Sequence, residues 1–308
     1  MTIGFIGGGN MAGAIIKGLL AASLYRPEEV FVTDITPERS KDCAKRLGVA
    51  AADTAEALIE HADTVVLAVK PGVFPSLLPS IAPYLQEKNP LVISIAAGKT
   101  LGFIEEVLGF SPALVRVMPN INAKVGAAMS AFCANQQVTQ EQKKLVARLF
   151  YAIGQVKELD EAFFPLFGVI AGSAPAFAYL FIDSLARAAV KNGMQKQVAL
   201  EIAAQTVLGS AKLILEGGEH PWALIDQVCS PGGTTIEGIA ALQDAGFEAG
   251  VRKSVDAALE KDRSYKAAEE EKTLRCAFFH VIGWFASPSS RGKGSKGWLF
   301  FIRIWQQA

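Results

Sequence analysis

Two glycine-rich stretches carry the residue types and spacings that could do chemistry. In the first, Gly4-Phe5-Ile6-Gly7-Gly8-Gly9-Asn10-Met11-Ala12, the residues Gly7, Gly9 and Ala12 stand at the G-x-G-x-x-A spacing. A short apolar, β-leaning run, Thr2 to Ile6, precedes it. From Asn10 the pattern turns helical, with Met11, Ile15, Ile16, Leu19 and Leu20 along one face. Strand, tight turn and helix in that order is the context that gives the spacing meaning. The first glycine makes the turn, the second lets the backbone approach a pyrophosphate, and the small third residue lets helix and strand pack closely. The helix N-terminus then faces the anion. The chemistry implied is the holding of a dinucleotide, against the plainer reading of a glycine-rich turn. In the second stretch, Cys229-Ser230-Pro231-Gly232-Gly233-Thr234-Thr235-Ile236-Glu237-Gly238, Thr234 and Glu237 have capping-box spacing, so a helix is expected to begin at Thr234. Two glycines ahead of a helix turn several backbone N–H groups toward one point, which suits a carboxylate. An ordinary capped helix after a loop is the alternative.

The elements that must position these stretches can be read along the chain. Glu29 to Thr33 reads as a second strand with Asp34 after it. An acidic residue there can hydrogen-bond an adenosine ribose 2′-hydroxyl, whereas Arg39 and Lys41 just beyond could attract a 2′-phosphate. Asp34 could instead cap the next helix, Pro37 to Leu47, which ends at Gly48. Further apolar β runs follow at Asp63 to Val69, Leu91 to Ile95 and Ala113 to Met118. They break at Lys70-Pro71, at Ala96-Ala97-Gly98 and at Pro119-Asn120. Strands separated by helical stretches imply a parallel, doubly wound sheet, whose ligands sit beyond the strand C-terminal ends. Val69, Lys70, Pro71, Ala96, Ala97 and Asn120 should therefore line one crevice with Gly7, Gly9, Asn10, Met11 and Asp34 as cofactor contacts. From about Asp160 the texture is helical: Glu161 to Gly172, Pro175 to Lys191 and Lys196 to Glu216, with no strand signals between them. The middle stretch is apolar nearly all round, apart from a stripe of Asp183, Arg187 and Lys191. Helices this apolar are expected to pack on a second copy of the chain.

Composition narrows the classes. The 308 residues are 51% hydrophobic and 19% charged, enough for two domains with a large core. Thirty basic and 30 acidic side chains give zero formal charge, which argues against a nucleic-acid partner. Cys43, Cys133, Cys229 and Cys276 share no metal-ligand or redox spacing, and His61, His220 and His280 are scattered, so no metal site is expected. The chain enters a core strand almost at once and no uninterrupted apolar run reaches ~18 residues, so neither a signal nor a membrane span is expected. The expected setting is cytoplasmic.

These motifs together resemble the pyrroline-5-carboxylate reductase family, from Thr2 to about Lys272. The resemblance rests on Gly4 to Ala12, Ala68-Val69-Lys70-Pro71-Gly72, Ser94-Ile95-Ala96-Ala97-Gly98 and Arg116-Val117-Met118-Pro119-Asn120. It rests also on Ala171-Gly172-Ser173-Ala174-Pro175-Ala176 and, most specifically, on Asp226 to Gly238. It implies an α/β fold: an N-terminal Rossmann domain over 1–159, and a helical substrate-binding and dimerisation domain over 160–272. The implied reaction is reduction of Δ1-pyrroline-5-carboxylate to proline by hydride from NADPH or NADH, in homodimers often assembled into rings. By the same resemblance Gly232, Gly233 and Thr234 offer N–H groups to the substrate carboxylate, and the Thr235 hydroxyl sits near the ring nitrogen. Ser230 shapes the loop, Asp226 orients it, and Lys70 holds a strand end near the cofactor.

Two features depart from the family pattern. Asp34 stands where NADPH users often carry a neutral or basic residue, so the cofactor choice stays open. Residues 273–308 form an atypical tail with two short apolar runs around a Ser/Gly/Lys/Arg stretch, which reads as read-through or frameshifted sequence, or else as a lineage-specific segment. Two competing functions remain. One is another imine or β-hydroxyacid reductase on this fold; the hydroxyacid enzymes use a helical-domain lysine, and Lys191-Asn192-Gly193 superficially fits. A non-catalytic NAD(P) sensor would use the same pocket.

Overall fold

The computed structural model describes residues 1–265; the tail at 273–308, with Cys276 and His280, lies outside the described residues. Met1–Ala258 is one compact unit, and the chain from Leu259 is a separate one. The first half of the compact unit is a single eight-stranded sheet. Its strands are β1 (Ile3–Ile6), β2 (Val30–Thr33), β3 (Ala50–Ala51), β4 (Thr64–Leu67), β5 (Leu91–Ser94), β6 (Leu114–Met118), β7 (Ala128–Ala134) and β8 (Gly154–Glu158). They lie in the order β3-β2-β1-β4-β5-β6-β7-β8. β1, β4 and β5 are buried along their whole length, as strands covered on both faces must be.

Successive side chains feed two cores. Phe5, Val66 and Ile93 meet Ile15, Ile16 and Leu19 of α1 (Asn10–Ala21) and Phe150 of α6 (Gln140–Tyr151) on one face. Ile6, Leu67 and Val92 meet α3 (Ala55–His61), α4 (Phe74–Lys88) and α5 (Leu101–Leu108) on the other. The register aligns the strand ends: Ile6 stands beside Thr33 and Leu67, and Leu67 beside Ser94. Whatever follows those residues therefore shares one edge of the sheet.

The sheet departs from the expected all-parallel arrangement in one pair, because β7 runs antiparallel to β6 and β8 then parallel to β7. β7 is built from alanine, serine, methionine, phenylalanine and cysteine, and β8 alternates with exposed Gln155 and Lys157, so neither announces itself locally. They form through pairing with β6, a long-range term absent from a local pattern.

The second half is helical. Glu161–Lys191 is one continuous helix, not two. It runs through α7 (Phe164–Phe167), a π-helical segment over Gly168–Ser173, and α8 (Ala174–Lys191). α9 (Lys196–Gly217) returns against α8 through small residues, Ala186, Ala199 and Ala203. α10 (Pro221–Val228) and α11 (Thr234–Asp244) follow, and neither has a buried residue. Contrary to the sequence expectation, Glu161–Lys191 and Lys196–Gly217 are each long and apolar enough to cross a membrane by length and composition, with only 11% of their most apolar windows buried within the chain. Mean hydropathy over a helix tolerates the scattered small and charged residues that interrupt a strict apolar run.

Candidate active site

The glycine loop is built as its spacing requires. Gly7 closes the turn at φ +107°, and its N–H donates to Thr33 O at 2.8 Å; a Cβ there would stand 2.7 Å from Ala68 O. No L-residue other than glycine fits both the dihedral and the space. At Gly9 the reason is different, because no chain atom lies within 4 Å of where a Cβ would stand. That space is open on the ligand side. Gly9 is also the N-cap of α1 and supplies no capping side chain, so the first N–H groups of α1, from Asn10 and Met11, point outward unsatisfied. An uncapped helix start over an unfilled approach fits a pyrophosphate, and these residues therefore fit a dinucleotide.

Asp34 does not cap the next helix. That task falls to Thr36, whose hydroxyl accepts from Arg39 N at the start of α2 (Pro37–Leu47). Instead Asp34 Oδ2 accepts Gly8 N–H at 2.9 Å and Oδ1 accepts Ile35 N–H at 2.8 Å, while Arg39 Nη1 stands 3.7 Å from Oδ1. The carbonyl of the same Gly8 is held by Arg46 Nη2 at 3.2 Å and by the Cys43 thiol at 3.4 Å. The two peptides that meet at Gly8 are thus both gripped by the β2–α2 unit. Arg46 and Cys43 were not apparent as site residues; the available signal was their i, i+3 spacing beside the buried face of α2, Ser40, Cys43, Ala44 and Leu47. Lys41 makes no contact with Asp34 among the described residues. A cleft of about 510 Å³ runs along α1 between Lys17, Arg46 and Lys124; it shares Asn10 with the loop but none of the strand-end residues.

The other strand ends sit where the register puts them. Val69 and the exposed Lys70 follow β4, and Lys70 O accepts Val73 N–H at 2.9 Å as the chain turns at Pro71. Ala96 is buried and Ala97 exposed beyond β5. Asn120 beyond β6 is 6% exposed, and its side chain is engaged twice: Nδ2 donates to Ala171 O at 2.9 Å and Oδ1 accepts Met129 N–H at 3.2 Å. What Asn120 presents to the crevice is backbone. Four residues earlier, the buried Arg116 binds Glu161 Oε1 at 2.8 Å and lies over the Phe164 ring at 4.5 Å, and Leu101 N–H donates to the same carboxylate oxygen at 2.9 Å.

The second glycine stretch forms a tight turn. Gly233 N–H donates to Ser230 O at 3.0 Å, with Pro231 second in the turn and Gly232 third at φ +65°. That sequence and that sign of φ are the type II arrangement. A Cβ on Gly233 would fall 2.3 Å from Ser230 Oγ, so the serine and the glycine interlock. α11 starts at Thr234 as expected, but its N-cap is Gly233 with no side-chain cap. Thr234 is the first helical residue and Thr235 the second, so the capping box suggested by the spacing does not form. The consequence favours a ligand site: the N–H groups of Thr234 and Thr235 are left open, together with that of Gly232, whereas that of Gly233 is spent inside the turn. Thr235 and Ser230 are exposed, and the exposed Asp226 takes part through its carbonyl, which accepts Cys229 N–H at 3.2 Å.

Comparison with known proteins decides the family. Residues 161–265 match the model described as pyrroline-5-carboxylate reductase dimerisation, and residues 2–98 the one described as NADP oxidoreductase, coenzyme F420-dependent. The pyrroline-5-carboxylate reductase of Escherichia coli (strain K12) is 42% identical over 260 residues, covering 84% of this chain and 96% of that protein. The chain belongs to the pyrroline-5-carboxylate reductase family. The solved reductase of Coxiella burnetii superposes with a TM-score of 0.81 at 34% identity, covering 85% of this chain and 97% of that one. The Plasmodium falciparum reductase, solved with NADP bound, gives a TM-score of 0.75 at 32% identity over 86% of this chain and 97% of that one.

Family membership accounts for the helical half. The stretch matched to dimerisation contains both long apolar helices, whose Tyr179, Leu180, Ile202 and Leu208 are each more than half exposed in the single chain. Lys191 lies at the far end of α8, about 25 Å along the axis from Ala174 at ~1.5 Å per residue. That separation argues against the role a hydroxyacid reductase would give it in its own chain.

Proposed function

We propose that this chain reduces Δ1-pyrroline-5-carboxylate to L-proline with NAD(P)H, and that its site is made from the two glycine loops. The observation that carries the reading is the Ser230–Thr235 turn, an uncapped helix start with open N–H groups on an exposed loop, in a chain 42% identical to a reductase over 260 residues. The cofactor supplies the hydride. Gly7 makes the turn, its own N–H being held by Thr33 O, and Gly9, Asn10 and Met11 would hold the pyrophosphate with backbone N–H groups; Asp34 would meet the adenosine ribose, and Val69, Lys70, Pro71, Ala96, Ala97 and Asn120 would border the remainder.

Gly232, Thr234 and Ser230 take the substrate carboxylate, with the Gly233 N–H maintaining the turn. The Thr235 hydroxyl hydrogen-bonds the ring nitrogen, accepting its N–H once the imine is protonated. As hydride reaches the imine carbon, the π electrons of the C=N bond withdraw onto that nitrogen, which ends as a protonated secondary amine. Such an imine is basic enough to take its proton from solvent, so Thr235 orients the ring and holds the nitrogen. The chain acts as a cytoplasmic homodimer, assembled further into a ring of dimers. The exposed apolar faces of α8 and α9 support the dimer, since no element among the described residues covers them.

Oxidation of NADH and of NADPH by the purified full chain, with and without pyrroline-5-carboxylate, tests the function. Substrate-dependent oxidation with formation of proline is expected. Oxidation driven by a β-keto acid instead would establish the hydroxyacid reductase, and tight cofactor binding with no turnover of either would establish the sensor. Light scattering reads the assembly.

A further inference from the structure

Two motifs lend no side chain to the chemistry above, Arg116-Val117-Met118-Pro119-Asn120, which offers the crevice only the Asn120 backbone, and Ala171-Gly172-Ser173-Ala174-Pro175. In the folded chain they meet. Arg116, Met118 and Asn120 alternate along β6 and its extension and touch the long helix at three levels. Arg116 reaches Glu161 and the Phe164 ring. The Met118 methyl lies 3.1 Å from where a Cβ on Gly168 would stand. Asn120 reaches Ala171 O.

The last contact has a specific cause. Where the π segment passes into α8, the α register would pair Ala171 O with the N–H of residue 175, but Pro175 has none. The helix passes through this region as a π segment, a local widening that often marks functional sites. Ala171 is 7% exposed, so water is a poor substitute for the missing donor. The Asn120 amide supplies it from the end of the strand that borders the cofactor crevice.

We infer that Asn120 is a positioning residue for hydride transfer: its side chain replaces the N–H that Pro175 lacks and pins the π segment of the long helix to the crevice edge. The inference rests on the reductase reading. Transfer requires reacting atoms held near ~3–3.5 Å, and a misplacement of ~1 Å can cost ~100-fold in rate.

The test compares Asn120→Ala, Asn120→Asp and Asn120→Ala with Pro175→Ala in the full chain. Asn120→Asp keeps an acceptor for Met129 N–H and removes the donor to Ala171 O, so it carries the test if Asn120→Ala does not fold. Both single variants should lower kcat ~10–100-fold and raise the deuterium isotope effect on kcat, with the Kd for NADPH within ~3-fold of wild type. Adding Pro175→Ala, which restores a backbone donor to Ala171 O, should recover several-fold of the lost kcat. Unchanged kcat with a lower melting temperature would show a purely structural residue. A Kd rising in step with the loss of kcat would show a cofactor ligand, and absence of recovery with Pro175→Ala would break the link to Ala171. Each of these overturns the inference while leaving the reductase reading intact; a wild-type chain inactive on pyrroline-5-carboxylate overturns both.

Discussion

Replacing Asp34 by asparagine separates two tasks that the structure gives to one carboxylate. Oδ2 anchors the glycine loop through Gly8 N–H at 2.9 Å while Oδ1 accepts Ile35 N–H at 2.8 Å. Asparagine has one acceptor oxygen, so one of these charge-assisted bonds is lost, worth ~1.5–3 kcal/mol to the order of the loop. That loss weakens both cofactors alike, and kcat/KM for NADH should fall ~10-fold. The second task is discrimination. A carboxylate about 6 Å from a 2′-phosphate opposes it by ~3 kcal/mol per pair of unit charges at an effective dielectric of ~20. Arg39, with Nη1 3.7 Å from Oδ1 and a side chain 70% exposed, cancels part of this, leaving ~1–2 kcal/mol. The ratio of kcat/KM for NADPH to that for NADH should therefore rise ~10-fold in Asp34→Asn and fall several-fold in Arg39→Ala, with both changes shrinking as salt is added. Steady-state kinetics with the two cofactors at low and high ionic strength measures this. If both variants left the ratio where it was, Asp34 would anchor the loop and nothing more, and the ribose would lie elsewhere.

Thr235→Val should lower kcat ~10-fold or more while leaving NADPH binding and assembly unchanged, since Thr235 is the second helical residue and Gly233 the cap; full kcat in that variant would assign nitrogen recognition to water. Glu161→Gln leaves the Arg116 side chain, 6% exposed, without its counter-charge. It should cost ~3 kcal/mol and lower the melting temperature by several degrees; an unchanged melting temperature would mean that the pair adds nothing. Burial raises the Cys133 thiol from its ordinary 9.0 to about 12, the neighbouring Glu161 carboxylate adding to the effect. About one thiol in ten thousand is therefore ionised at pH 8, and Cys133→Ser should leave the native thiol titre unchanged. The unfolded chain loses this proton first, so the corresponding stability is full below pH 9 and declines as pH rises toward 12, which denaturation at pH 8 and pH 10 can compare.

What the sequence made legible was whatever is local. The first helix and its glycine turn were readable because Gly7 and Gly9 act within a few residues of themselves. Pro37 to Leu47 was readable for a similar reason, with proline at its first position and Gly48 in the left-handed region at its end. The type of residue at Asp34 was legible, but its partners were not. Its hydrogen bond spans 26 residues, and the Gly8 peptide it holds has no side chain to betray a contact. β7 was invisible because alanine and serine have little preference for strands, and it exists through its pairing with β6 and β8. The missing capping box at Thr234 shows a spacing pattern overruled by a turn: the Gly233 N–H bond to Ser230 O places the cap one residue earlier, and the threonine pair becomes the first turn of the helix.

The helical half shows how chemistry and assembly come to depend on each other. Leu180 is 67% exposed, Leu208 61%, Leu213 54% and Leu215 81%. Burying such a side chain is worth ~1.5–3 kcal/mol, so a handful of them left in water forfeits an amount comparable to the ~5–15 kcal/mol stability of a whole domain. Among the described residues, α8 and α9 meet around Ala186, Ala199 and Ala203, with Ile182 and Ala189 packed against them, which brings the backbones close but buries little apolar area. α10 and α11 bury nothing, and it is between these two that the Ser230–Thr235 turn hangs. By contrast, the Gly7–Gly9 loop is held within one copy of the chain, at Gly8 N–H by Asp34 and at Gly8 O by Arg46. One loop is therefore fixed by the elements around it and the other by its own turn. The first loop needs glycines because its own chain fills the space at Gly7 and Gly8. The Ser230–Thr235 turn instead carries a self-contained lock, the interlocked Ser230 and Gly233.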